Sequence, residues 1–239
     1  MSAQQPTIIL VHGAFADSSS WNGVVERLQA HGYPVIAASN PLRTLSGDAA
    51  YVRQLVAAVD GPVVLVGHSY GGSVISSAAK DLGNVRALVY VAAFLPDEGE
   101  SAITLSGKFP GSTLGQVLRP VPIVLPDGGR ANDLYIEKSA FHAQFAADVA
   151  EETTSVMAAT QRPVTDIALG EGASAPAWKD TPSWVMVATE DRNIPPQAQT
   201  FMAERADATA VSISASHAVS VSRPGDVARL INEAAQATL

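Results

Sequence analysis

A chain of 239 residues, 47% apolar and 16% charged, carries enough apolar mass for a sizeable core, so a single α/β domain with an embedded insertion is expected and disorder is excluded. Its formal charge of −8, with no Lys/Arg cluster, disfavours a nucleic-acid partner, because a polyanion would meet repulsion rather than counterion release, and none is expected. With no cysteine there is no disulfide, thiol nucleophile or Cys-ligated metal, and any nucleophile must be a hydroxyl, a carboxylate or an amine.

Residues 1–6 lack a basic region followed by an apolar run, so a cytoplasmic location is expected. A Val/Ile-rich strand is predicted at 7–11, then a helix at 20–30, a strand at 34–39, a helix at 48–59, a strand at 63–66, a helix at 72–80 and a strand at 86–95. Residues 87–95 form the longest apolar stretch, less than half of the roughly 20 residues that cross a bilayer, and read as a buried strand rather than a membrane segment. The alternation lapses between about Pro96 and Pro182, where Gly, Pro and Ser are frequent at first and helix-like patterns follow at 133–146 and 148–161. This segment, 97–182, is expected to be a helical cap inserted into a core formed by 1–96 and 183–239. Twelve acidic and six basic residues place −6 of the total charge in it, which disfavours anionic substrates. Strands at 183–189 and 209–214 and helices at 196–205 and 224–237 complete the chain. Such alternation implies a mostly parallel central sheet with helices on both faces, and the Val/Ile runs suit strands buried on both sides.

Gly67-His68-Ser69-Tyr70-Gly71-Gly72 matches G-x-S-x-G directly between a strand and a helix. A serine at such a turn takes a strained backbone, and flanking glycines make room for it. A phosphate loop is excluded, since neither G-x-G-x-x-G nor G-K-[ST] occurs. Ser69 needs a base, and five histidines are available: His12, His31, His68, His142 and His217. His68 adjoins the serine and should point away from it, His31 ends a helix, His142 lies in the cap, and His12 suits a structural hydrogen bond. His217 follows the last strand, where the order Ser, Asp/Glu, His puts the base. For the acid that fixes its tautomer, Asp191 after the penultimate strand and Asp97 after the strand ending at Leu95 both satisfy the order, with Glu190 as a neighbouring fallback. The backbone N–H groups of Ala14, in the loop after the first strand, and Tyr70, after the nucleophile, are the expected oxyanion donors. No metal or organic cofactor is implied.

Leu10-Val11-His12-Gly13-Ala14-Phe15, Gly67 to Gly72, Glu190-Asp191-Arg192-Asn193-Ile194-Pro195 and Ser216-His217 together resemble the α/β-hydrolases that include plant methyl-ester esterases, hydroxynitrile lyases and bacterial carboxylesterases. The resemblance spans nearly the whole chain and is least specific in the cap. It implies the α/β-hydrolase fold, with Ser69, Asp191 and His217 as triad and Ala14 and Tyr70 as oxyanion donors. The lyases carry a threonine after the first-loop histidine and a lysine after the catalytic histidine; here Gly13 and Ala218 stand there, which favours ester hydrolysis. The expected substrate is a small, largely apolar ester; Phe109, Tyr135, Phe141, Phe145 and Trp178 of the cap are candidate pocket walls, although such aromatics more often pack a cap onto its core. A lyase on the same triad and a non-hydrolytic small-molecule receptor stay as alternatives, and a homodimer stays open.

Overall fold

The computed structural model describes residues 4–174 and 176–238. Its first part runs β1 (Thr7–Val11), α1 (Asn22–Ala30), β2 (Val35–Ala38), α2 (Leu45–Ala57), β3 (Val63–His68), α3 (Tyr70–Ala78) and β4 (Val85–Val91). The inserted segment holds α4 (Ala102–Ser106), β5 (Leu118–Val124), β6 (Arg130–Ile136), α5 (Lys138–Phe145), α6 (Glu151–Thr160), β7 (Val164–Thr165) and α7 (Asp166–Gly170). Then follow β8 (Ser183–Ala188), α8 (Pro196–Arg205), β9 (Thr209–Ile213), α9 (Val219–Ser222) and α10 (Pro224–Ala237). The main sheet has six strands in the order β2-β1-β3-β4-β8-β9, every neighbouring pair parallel.

Strand periodicity divides the core in two. Ile9, Val11, Leu65, Tyr90 and Val185 face α2, α3 and the inserted segment. Ile8, Leu10, Val64, Val66, Val89 and Met186 face α1 and α10. Each such side chain taken fully out of water contributes about 1.5–3 kcal/mol, so the central strands anchor everything their C-terminal ends carry. Burial on both faces holds for β1, β3, β4 and β8 but not for the edges: β9 is largely exposed and β2 only half-buried, since an edge strand lacks a neighbour to cover it.

The inserted segment departs from an all-helical cap. Residues 133–146, expected as one helix, divide into the end of β6 and α5, and β5, β6 and β7 form a three-stranded antiparallel sheet. Pro120 and Pro122 in β5 read as breakers in the sequence, yet β5 lies at an edge of this sheet, where a missing N–H costs no ladder bond. Among the described residues no helix is long and apolar enough to cross a membrane.

Candidate active site

The C-terminal ends of β1, β3, β8 and β9 converge, and four loops meet there. Ser69 links β3 to α3 with φ 55° and ψ −126°, a conformation that costs about 1–3 kcal/mol in a residue with a Cβ. Three backbone bonds hold it: its N–H donates to the Val91 carbonyl at 3.3 Å, and its carbonyl accepts from Gly72 at 3.0 Å and Phe94 at 3.2 Å. The glycines of the motif are sites of close approach. A Cβ on Gly71 would lie 2.4 Å from the Val11 oxygen, and one on Gly72 2.3 Å from the Phe94 oxygen, so α3 can start hard against the ends of β1 and β4 only with glycine at both.

The loop after β1 lies against the serine. His12 accepts the Asn40 N–H at its Nε2 (3.1 Å) and donates from Nδ1 to the Gly13 carbonyl (2.9 Å). Burial holds its pKa below the usual value, and the ring serves as a neutral brace, in keeping with the structural role expected of it. A Cβ on Gly13 would fall 2.6 Å from the Ser69 Cβ and 2.7 Å from the His68 oxygen. Gly13→Ala must therefore push the loop off the serine. It is expected to cost about 1–3 kcal/mol and most of any turnover, and an unchanged Tm would show that the loop yields freely. Among the described residues the N–H groups of Ala14 and Tyr70, which line the same cavity as Ser69, have no backbone acceptor in the loops and turns. Phe15 has φ 61°, and its N–H donates to the Arg162 carbonyl at 3.0 Å, tying this loop to the segment after α6.

His217 follows β9 and donates from Nδ1 to Asp191 Oδ2 at 2.7 Å, both side chains essentially fully buried. Asp191 accepts three further bonds: from the Asn193 N–H (2.7 Å) and the Ile194 N–H (3.0 Å) at Oδ1, and from Gln199 Nε2 (2.9 Å) at Oδ2. Gln199, on α8, in turn accepts the Ala188 N–H at 3.0 Å, which fixes its own orientation. With Nδ1 committed as donor, a neutral His217 ring carries its lone pair on Nε2.

The other candidates separate. Asp97 pairs with Lys179 at 2.5 Å on the surface, away from His217, and that hydrogen bond holds its carboxyl below the usual range. Glu190 accepts from Ser214 and is exposed. His142 meets Thr154 within the inserted segment, and His31 caps α1. His68 does not bond the serine, as expected, but has a place of its own. Its Nε2–H donates to the His217 carbonyl at 2.8 Å, and the two rings lie 4.7 Å apart. Burial first, and the neighbouring His217 second, hold its pKa well below normal, so it is a neutral prop beneath His217. Sequence reasoning missed both this prop and Gln199, since no local pattern joins either residue to the loop it supports.

A cavity of about 180 Å³ opens beside Ser69, walled by Ala14, Phe15, Phe94, Leu118, Leu169 and Ile194. None of the five cap aromatics that were candidates for its walls lines it; they take the packing role instead. Phe109 packs on Phe201, Tyr135 lies beneath Arg119, and Trp178 donates to the Pro96 carbonyl. Phe141 stacks on Phe145, whose ring meets His217 edge-on. Phe109, Phe141, Phe145 and Trp178 thereby help seat the inserted segment on the core. Among the described residues no group of three or more His, Asp or Glu side chains is placed to hold a metal ion.

Comparison with known proteins agrees with this architecture. Residues 8–230 match the alpha/beta hydrolase family. An alpha/beta hydrolase, nvfD, of Aspergillus novofumigatus (strain IBT 16806) is 29% identical over 97% of each chain. A carbendazim hydrolyzing esterase of Nocardioides sp. (strain SG-4G) is 32% identical over 42% of this chain and 47% of its own. The crystal structure of polyneuridine aldehyde esterase superposes with a TM-score of 0.83 at 20% identity, covering 96% of this chain and 99% of that one. A pyrethroid hydrolase from Sphingobium faniae JZ-2 gives 0.78 at 24% identity, covering 97% and 98%. With the match running through both halves of the core and the segment between them, the chain belongs to the alpha/beta hydrolase family.

Proposed function

We propose that the chain is a serine carboxylesterase for small, largely apolar esters, with Ser69 as nucleophile, His217 as base, Asp191 as the acid that orients it, and the Ala14 and Tyr70 N–H groups as oxyanion donors. The observation that carries this reading is the buried 2.7 Å bond from His217 Nδ1 to Asp191, which leaves Nε2 as the basic atom at the sheet end where Ser69 is held in its strained turn. Folding does not require a fully buried His–Asp pair there, whereas activating an alcohol does.

Ser69 Oγ attacks the ester carbonyl carbon while its proton passes to His217 Nε2, and the negative charge gathers on the carbonyl oxygen against the two N–H groups. The bond from that carbon to the alkoxy oxygen breaks, and the alkoxide leaves as alcohol with the proton from His217. Water then gives a proton to His217 and attacks the acyl carbon; the bond to Oγ breaks, Ser69 recovers the proton, and the carboxylic acid departs. These steps need no metal or organic cofactor, and a soluble small-molecule ester in the cytoplasm is the partner proposed. Esterase activity in a relative such as the Nocardioides protein supports the same class.

The test is a series of p-nitrophenyl esters from acetate to octanoate, alongside an organophosphonate that labels activated serines. Turnover with one phosphonyl adduct, on Ser69, is the expected result. No turnover and no adduct would replace the esterase with a receptor that binds its ligand without hydrolysing it.

A further inference from the structure

The loops that carry Asp191 and His217 follow neighbouring strands, β8 and β9, and a main-chain bond joins them just before both side chains, from the Glu190 N–H to the Ala215 carbonyl at 3.1 Å. Residues that follow Asp191 and residues that flank His217 are held from the other side by the inserted segment, within positions 144–148. Gln144, near the end of α5, is buried with its amide fully used: Nε2 donates to the Arg192 carbonyl at 2.9 Å and to Asn193 Oδ1 at 2.8 Å, while Oε1 accepts from Thr113 Oγ1 at 2.8 Å. The Phe145 carbonyl accepts the Ala218 N–H, and Asp148 Oδ1 accepts from Ser216 Oγ. Asp148 is half-buried, and among the described residues no lysine or arginine pairs with it. Burial opposes its charge, yet the hydrogen bonds it accepts, that from the Ser216 hydroxyl first, hold its pKa below the ordinary value. A carboxylate without a counter-ion is thus kept ionised by a bond that falls on the residue next to His217.

We propose that residues 144–148 are a clamp by which the inserted segment sets His217 against Asp191, with Gln144 and Asp148 as positioning residues; the assignment rests on the serine-esterase reading above. The two ends of the clamp have different chemistry. Gln144 faces two oxygens, so it must donate twice, which an ionised glutamate cannot do. Asp148 faces a hydroxyl, so an acceptor suffices there, and asparagine supplies one. The 2.7 Å bond from His217 to Asp191 spans the two loops, and a shift of about 1 Å in such a constellation costs on the order of 10²-fold in rate. Neither Gln144 nor Asp148 lines the cavity beside Ser69, so loosening the clamp acts on kcat and leaves KM for a small ester unchanged.

The experiment measures kcat and KM for p-nitrophenyl butyrate in Asp148→Ala, Asp148→Asn, Ser216→Ala and Gln144→Glu. The control is Asp166→Ala, since Asp166 is a carboxylate of the same segment whose bonds, from the Asn132 N–H at 3.1 Å and Nδ2 at 2.7 Å, stay within that segment. The expected result is kcat lowered on the order of tenfold at unchanged KM in Asp148→Ala, Ser216→Ala and Gln144→Glu, kcat within about threefold of the wild type in Asp148→Asn, and no change in Asp166→Ala. Asp148→Ala combined with Ser216→Ala should lose no more than either alone, because the two groups share one bond. Proton NMR reads the clamp without turnover: the His217 Nδ1 proton, assigned by its loss in His217→Ala, should exchange with solvent faster in Asp148→Ala but not in Asp148→Asn or Asp166→Ala. Wild-type kcat in Asp148→Ala and Ser216→Ala, or a loss that falls on KM, overturns the clamp and leaves the esterase reading standing. If the wild type turns over no ester, the esterase reading falls and exchange decides the clamp: faster exchange in Asp148→Ala keeps it, and unchanged exchange overturns it. Should Asp148→Ala fail to fold, Ser216→Ala, which removes one hydroxyl, decides by the same readouts.

Discussion

Ser69→Ala is expected to lower ester turnover by roughly 10³- to 10⁶-fold while the thermal unfolding curve stays close to that of the wild type. Alanine keeps the Cβ, so it inherits the φ of 55° and the three backbone bonds that hold the turn, and only the hydroxyl oxygen is lost. Ser69→Gly separates the two contributions. It should be equally inactive but more stable, because glycine occupies positive φ without penalty and the strain of about 1–3 kcal/mol is relieved. Differential scanning calorimetry of the three proteins, beside the p-nitrophenyl assay, checks both halves. An Ser69→Ala protein that hydrolyses esters at the wild-type rate would remove Ser69 from the chemistry altogether.

Asp191→Asn is expected to cost on the order of 10⁴-fold in kcat, against less than a factor of two for Asp97→Asn. All four groups bonded to Asp191 are donors: two backbone N–H groups on one oxygen, and Gln199 and His217 on the other. An amide offers one acceptor oxygen. If that oxygen serves the backbone pair, the NH₂ faces His217 Nδ1, the ring proton moves to Nε2, and the base is lost. Asp97 is a partly exposed partner of Lys179, and such a pair contributes about 0–1 kcal/mol to stability. Parallel kcat measurements on the two variants decide between the carboxylates; equal losses would mean that neither orients His217.

Much of this arrangement was legible in the chain. The crossing of α3 over the ends of β1 and β4 demands glycine at positions 71 and 72, so the motif around Ser69 is a packing requirement written locally, and the loops after β8 and β9 follow from strand order. The antiparallel sheet of the inserted segment was hidden by Pro120 and Pro122, which mark a break unless the strand is known to lie at an edge. The supports of the His–Asp pair were hidden for another reason. Gln199 reaches Asp191 from the first turns of α8, and His68 reaches a carbonyl 149 positions onward, so each pairing exists only after the sheet has formed. Aromatic content does not mark the cavity: the cap aromatics pack, whereas Phe94 and Ile194, from loops of the core, and Leu118, from β5, line it beside Ser69.

Two of the bonds between the inserted segment and the loops around Ser69 and His217 join main chain to main chain: Phe15 N–H to the Arg162 carbonyl at 3.0 Å, and Ala218 N–H to the Phe145 carbonyl at 2.9 Å. Contacts of that kind do not depend on which side chains occupy α5 and α6. Apart from Gln144, Phe145 and Asp148, whose side chains bond or pack against the loops that carry Asp191 and His217, the segment is thereby free to drift in sequence, and with it the choice of substrate, as long as the spacing from Phe145 to Arg162 is kept. Point changes there should retune selectivity, whereas an insertion or deletion of one residue within the same stretch should release both loops at once. A library built by substitution is the route to new specificities on this scaffold, and one built by length variation should yield mostly inactive proteins.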